Sequence, residues 1–230
     1  MDKYKEEMKL ITNYTENNHL VLIGKVASEK KFSHEIYGEK FYKFIIETKR
    51  LSEYLDRLPV IISERLINLS DLTDGTIVKI SGQFRSYNKA SENEGGKSKL
   101  LLSIFAKDIE IVTSEEVLTL NDTTLIGYIC KKPVYRKTPL GREIADVLIA
   151  VNRSYRKSDY IPCILWGRNA KFCETLNVGS MVELGGRVQS RVYEKKLEDG
   201  SSITKVAYEV SVSRFLEVKK EENAKDNDEE

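Results

Sequence analysis

The sequence predicts an all-β protein built as two small barrels in tandem. Three observations carry this: a long internal repeat, five strand-like segments in each copy, and one helical stretch at the same place in both. Residues 22–65 return at 125–168, 103 positions later, without a gap. Leu22-Ile23-Gly24 reappears as Leu125-Ile126-Gly127, Gly38 as Gly141, Pro59 as Pro162, Ile61 as Ile164 and Arg65 as Arg168. After one inserted residue, Gly75, Val78, Gly82 and Ser86 are answered by Gly179, Val182, Gly186 and Ser190. A unit of roughly a hundred residues is too long for a solenoid repeat and long enough to bury a core of its own, so each copy reads as a complete domain. The expected division is an N-terminal extension over 1–17, a first domain over 18–112, a linker over 113–120, a second domain over 121–218 and an acidic tail over 219–230.

In the second copy, apolar–polar alternation bounded by Gly, Asn and Asp marks strands at 123–130, 143–152, 160–166, 180–193 and 203–218. A helix near 169–176 falls between the third and fourth; the first copy repeats the order, with its helix near 66–72. Five strands with a helix between the third and fourth is the order of the OB-fold, a partly open Greek-key barrel, though other five-stranded barrels share the pattern. Strand parity then sorts side chains between core and outer wall. In the third strand Ile161, Cys163 and Leu165 point in while Tyr160, Pro162, Ile164 and Trp166 point out. In the fourth, Val182, Leu184, Gly186, Val188 and Val192 share the inner parity, and Glu183, Arg187, Gln189, Arg191 and Tyr193 the outer. Gly185-Gly186 lies inside a strand and reads as a place of close backbone approach, not as a phosphate cradle.

Aromatics and cations sharing one outer face suit a single-stranded nucleic acid, whose bases stack on rings while its phosphates follow the positive charges. The plainer readings are a core Trp and a solvated Arg row; parity favours the surface for Trp166, and the shared face favours function for both. Charge agrees. The net +1 of the chain divides into 16 Lys and Arg against 11 Asp and Glu over 121–218, 15 against 13 over 18–112, and 3 against 6 over 219–230. Cys130, Cys163 and Cys173 lack metal-ligand spacing, and only His19 and His34 exist to join them, so no metal or other cofactor is expected. Reduced thiols, a charged N-terminus and the absence of a long apolar run read as a cytoplasmic protein. No Ser/His pair or Gly-rich phosphate loop is present, which argues against an enzyme.

The second copy resembles the bacterial single-stranded DNA-binding protein family. The residues that carry the resemblance are Leu125-Ile126-Gly127, Thr138 to Arg142, Ile149 to Arg153, the run Tyr160-Ile161-Pro162-Cys163-Ile164-Leu165-Trp166-Gly167-Arg168, Gly179, and Gly186 to Arg191. The resemblance implies an OB-fold that binds single strands with little sequence preference. It also implies four base-stacking positions, which fall here on Tyr155, Tyr160, Trp166 and Tyr193. Phosphate contacts are expected from Arg153, Arg156 and Lys157 in the loop after the second strand, Arg168 after Trp166, Arg187 and Arg191 on the fourth strand, and Lys195 and Lys196 on a hairpin. The first copy has Ser52, Arg57, Ser63 and Lys89 at the four aromatic positions. Arg57, Arg85, Tyr87 and Lys89 are left as a secondary binding set, with Tyr54 two residues from the Ser52 position. That copy reads as a weaker electrostatic binder, a dimerisation element, or both; Tyr37, Phe41 and Phe44 serve either its core or an alternative surface.

The family commonly assembles four OB-folds, so two per chain imply a homodimer, with replication and repair proteins as further partners. Tyr4, Met8 and Ile11 have helical spacing, and the tail ends in acid without the apolar tip usual in the family. The expected function is sequence-independent binding and protection of single-stranded DNA in replication, recombination or repair. The alternatives are an RNA-binding OB protein and a protein-interaction scaffold with residual DNA affinity.

Overall fold

A computed structural model describes residues 17–89, 98–113, 119–197 and 200–218. The expected N-terminal helix and acidic tail lie outside the described residues. The first copy forms β1 (Asn18–Val26), β2 (Lys31–Ile36), β3 (Glu39–Lys49), β4 (Leu55–Ser63), β5 (Ile77–Lys89) and β6 (Lys99–Ile111). The second forms β7 (Asn121–Ile129), β8 (Val134–Lys137), β9 (Glu143–Arg153), β10 (Lys157–Trp166), helix α1 (Gly167–Glu174), β11 (Met181–Lys196) and β12 (Ser202–Glu217). Each copy is an OB-fold. In the first, β1 pairs with β5, β5 with β6, and β3 with β4, all antiparallel; β6 meets β4 in parallel, and β1 reaches β3 to close the barrel. The second repeats this with β7, β9, β10, β11 and β12.

The repeated Leu-Ile-Gly marks the closure point. A Cβ on Gly24 would stand 2.6 Å from the Glu47 carbonyl oxygen, and one on Gly127 2.4 Å from that of Ala150. Only a residue without a side chain lets the first strand bend from one neighbour to the other. Gly127→Ala should therefore destabilise the protein by about 1–3 kcal/mol, read as a lowered midpoint in urea unfolding with an unchanged m-value; an unchanged midpoint would contradict it. Gly186 is the expected place of close approach, its Cβ position lying 2.2 Å from the Ser211 carbonyl oxygen beside a β-bulge.

β2 and β8 are short strands that the five-strand reading missed; they fold back on β3 and β9 in the link before the second long strand. The helix expected near 66–72 is only a 3-10 turn over Leu69–Asp71, because the Asn68 side chain accepts the Ser70 N–H and competes with helical bonding. Val192, assigned inward, is 56% exposed: β11 and β12 run on as a hairpin past the barrel, where neither face has a core to cover. Ile164, assigned outward, is on the outer wall but only 6% exposed, within the lining of a groove that Trp166 also lines. The inner parity otherwise places Ile161, Cys163, Leu165, Val182, Leu184 and Val188 in the core of the second barrel, and Leu58, Val60, Ile62, Val78, Ile80 and Phe84 in that of the first.

The two barrels share one twelve-stranded sheet, because β1 pairs antiparallel with β7. Leu20 lies opposite Thr123, its own counterpart in the repeat, with Asn18 opposite Leu125 and Leu22 opposite Asn121. A pseudo-twofold axis thus passes through the Leu20–Thr123 pair. Side chains obey the same symmetry. Asp56 accepts the Ser190 N–H at 2.7 Å, and its counterpart Asp159 accepts the N–H of Ser86, the counterpart of Ser190, also at 2.7 Å. One chain has built an isologous interface with itself.

Candidate nucleic-acid interface

The outer wall of the second barrel is made by β10, β11 and β12. Trp166 ends β10 and is 38% exposed; its indole N–H donates to Ser211 Oγ at 3.2 Å, which fixes the ring plane. Tyr160 stands on the same face of the same strand, exposed, while its backbone N–H donates to Ser86 Oγ of the first copy at 2.8 Å. Tyr193 sits where β11 leaves the barrel, with the Arg191 guanidinium 5.7 Å from its ring centroid. Tyr155 lies in the three-residue turn Ser154–Arg156 with φ at 60°, and Arg156 follows at 55°. A left-handed conformation is costly for an aromatic residue, and here it holds a ring 94% exposed in solvent.

Trp166, Arg187 and Arg191 line one groove of about 740 Å³ together with Arg142 and Glu209. Tyr155, Tyr160 and Tyr193 lie outside it. Arg187 Nη2 donates to Gln189 Oε1 at 3.3 Å, and burial pulls its pKa below the ordinary value. Glu209 is buried; it accepts from Gln189 Nε2 at 2.9 Å and from Arg191 Nε and Nη2 at 3.4 and 3.3 Å, and this hydrogen bonding raises the Arg191 pKa. Sequence parity found the two arginines but missed Glu209, which binds Arg191 directly and meets Arg187 only by way of Gln189, the residue opposite it in the strand register.

The other cations separate into two sets. Arg156, Lys157, Arg168, Lys195 and Lys196 are exposed. Arg153 is not a loop residue free to meet phosphate: it ends β9, and its Nε stands 3.1 Å from Oδ2 of Asp159, a carboxylate with no exposure. A buried charge at the copy interface takes the nearest cation. Lys157 likewise belongs to a strand, as the first residue of β10.

The first copy's outer wall is filled as well as altered. Phe105 stands in the register position that Ser211 holds in the second copy, each beside the third long strand. Its ring meets Phe41 at 5.8 Å, Phe41 stacks on His34 at 4.7 Å, and the Arg85 guanidinium covers Phe105 at 3.9 Å. Arg85 also donates to Gln83 at 3.0 and 2.7 Å, and Arg57 is tied to Glu47 and to the Ala27 carbonyl. Of the secondary set, Arg57, Tyr87 and Lys89 are exposed. Of the three aromatics left open by the sequence, Phe44 is core, Phe41 lies under this stack and Tyr37 is fully exposed.

Among the described residues no cluster of three His, Cys, Asp or Glu could hold a metal ion, and no helix is long and apolar enough to cross a membrane. All three cysteines are free; burial pushes the Cys163 thiol far up and that of Cys173 to about 12, which makes them poor nucleophiles.

Fold and surface together define a paired OB-fold protein in which one copy carries an aromatic and cationic outer wall. A family profile described as "Single-strand binding protein family" matches residues 120–216. The chain is 34% identical to single-stranded DNA-binding protein B of Bacillus subtilis over 46% of its own length and 98% of that relative's. It is 37% identical to single-stranded DNA-binding protein A of the same organism over 44% and 61% of the two chains. The chain belongs to the single-strand binding protein family. A crystal structure of the wild-type single-stranded DNA binding protein from Thermus aquaticus superposes with a TM-score of 0.70 at 17% identity, covering 88% of this chain and 93% of that one. That likeness extends the shared fold across both copies.

Proposed function

We propose that the protein binds single-stranded DNA with little sequence preference, through the outer wall of the second copy, and protects strands exposed in replication, recombination or repair. The observation that carries this is the groove in which Trp166 of β10 meets Arg187 and Arg191 of β11 across β12, with Tyr160 exposed on the same face of β10. Tyr155, Tyr160, Trp166 and Tyr193 are assigned to base stacking, with Arg156, Lys157, Arg168, Arg187, Arg191, Lys195 and Lys196 along the phosphate path. Arg153 is assigned to the copy interface. The domains are taken as 18–112 and 121–218, and the first, with its filled wall, serves mainly as scaffold; two chains would bring four such folds together. The proposed role is binding without catalysis.

Trp166 is the only tryptophan, so its fluorescence reports this site directly. Oligo-dT should quench it, and the logarithm of the binding constant should fall with that of salt concentration by about 0.7 for each phosphate contact. No quench, or a quench indifferent to salt, overturns the proposal. Matched RNA outcompeting DNA overturns the choice of DNA.

A further inference from the structure

The groove beside Trp166 is not made by the second copy alone. Arg50 and Tyr54, from the connection between β3 and β4 of the first copy, form one of its walls. The connection is held firmly in place. The Arg50 N–H donates to the Tyr54 carbonyl at 2.8 Å and the Glu53 N–H to the Arg50 carbonyl at 3.0 Å, closing a tight turn. The Arg50 side chain then spans the copy interface. Nε and Nη2 each meet Asp56 at 2.7 Å, and Nη2 also donates to the Ser190 carbonyl at 3.0 Å, one residue before Arg191. The Tyr54 ring lies over this guanidinium at 4.5 Å and remains 45% exposed. One ring face is thus backed by a fixed cation, and the ring is held in the groove that contains Trp166.

The pseudo-twofold does not return the contribution. The counterpart of Tyr54 is Lys157, and Arg153, the counterpart of Arg50, stands 3.1 Å from Asp159 without hydrogen-bond alignment. At these paired positions the first copy supplies a ring over a fixed cation, and the second supplies a lysine and a cation without hydrogen-bond alignment. We infer that Tyr54 of the first copy is a base-stacking position of the second copy's groove, so that a bound single strand crosses the seam between the copies. A nucleobase is the fitting ligand: the exposed ring offers a flat apolar surface, and the guanidinium beneath it favours an electron-rich stack near phosphates. This rests on the proposed single-strand binding, and the experiment separates the two.

In the full-length protein, oligo-dT titrations followed through Trp166 should show Tyr54→Ala weakening binding about five- to a hundredfold. Tyr54→Phe should stay within about twofold, as expected if the ring and not the hydroxyl acts. Tyr37→Ala, at a fully exposed tyrosine outside this groove, should bind as the unaltered protein does. A second variant reads the position itself. With Trp166→Phe and Tyr54→Trp combined, saturating oligo-dT should quench the single indole, and an abasic phosphodiester chain of equal length should not. Unchanged affinity in Tyr54→Ala, or an indole at position 54 that oligo-dT leaves unquenched, overturns the inference while binding by the unaltered protein upholds the function. A Tyr54→Ala loss that follows a matching fall in thermal midpoint also overturns it. Failure of the unaltered protein to bind overturns both.

Discussion

Asp56→Ala should destabilise the folded chain by about 3–5 kcal/mol, and the same change at its repeat counterpart Asp159 by only about 1–3 kcal/mol. Both carboxylates are fully buried at the seam, and each accepts a serine N–H from the other copy at 2.7 Å. Their cations differ. Arg50 meets Asp56 through two bonds of 2.7 Å, so removing Asp56 strands a largely buried guanidinium as well as the Ser190 N–H. Arg153 approaches Asp159 within 3.1 Å, yet Arg153 Nε and Asp159 Oδ2 make no hydrogen bond. Burial accordingly pushes the Asp159 pKa up, with the Ser86 N–H, Arg153 and Arg85 only partly offsetting it. A carboxyl whose folded pKa is raised contributes stability below its unfolded pKa, and that contribution is lost as pH rises through the folded value. Asp159→Asn, which keeps an acceptor oxygen for Ser86, should remove this part of the acid-side pH dependence. Urea unfolding across an acidic pH series measures both effects. Equal costs at the two positions would show that the seam is symmetric in energy as well as in geometry.

The asymmetry of the seam illustrates which features could be read from the chain. The repeat, the core parity and the order of long strands are local signals, and they were legible. Trp166 was legible for the same reason: alternation along the six residues from Ile161 to Trp166 is enough to place it opposite Ile161 and Leu165. The seam was not legible, because Asp56 and Ser190 are 134 residues apart and each looks locally like an ordinary polar residue of a strand. Their positions in the repeat were visible; their pairing depends on β1 lying against β7, which no spacing encodes. Arg153 was misplaced because its partner is buried by that same pairing. Phe105 was missed differently. Its correspondence to Ser211 emerges only from the parallel register with β4, so the first copy looked bare where it is in fact filled. Val192 was misread because parity persists after the barrel ends.

The filled wall bears on the second large effect. Trp166→Ala and Tyr193→Ala should each weaken oligo-dT binding by about 1–3 kcal/mol, measured by fluorescence anisotropy of labelled DNA. The double variant should approach the sum, because the two rings sit on different strands and neither packs on the other. Stability should respond far less. Trp166 is 38% exposed, and its one side-chain hydrogen bond goes to a serine that solvent can replace; Tyr193 lies beyond the last core residue of β11. The internal comparison is Phe84, fully buried in the first barrel, where removal of the ring would cost stability directly. If Trp166→Ala instead lowers the unfolding free energy by as much as it lowers affinity, the outer wall is part of the core. The aromatic positions of the second copy would then resemble the Phe41–Phe105 stack of the first, with rings that close a surface where a strand would otherwise bind.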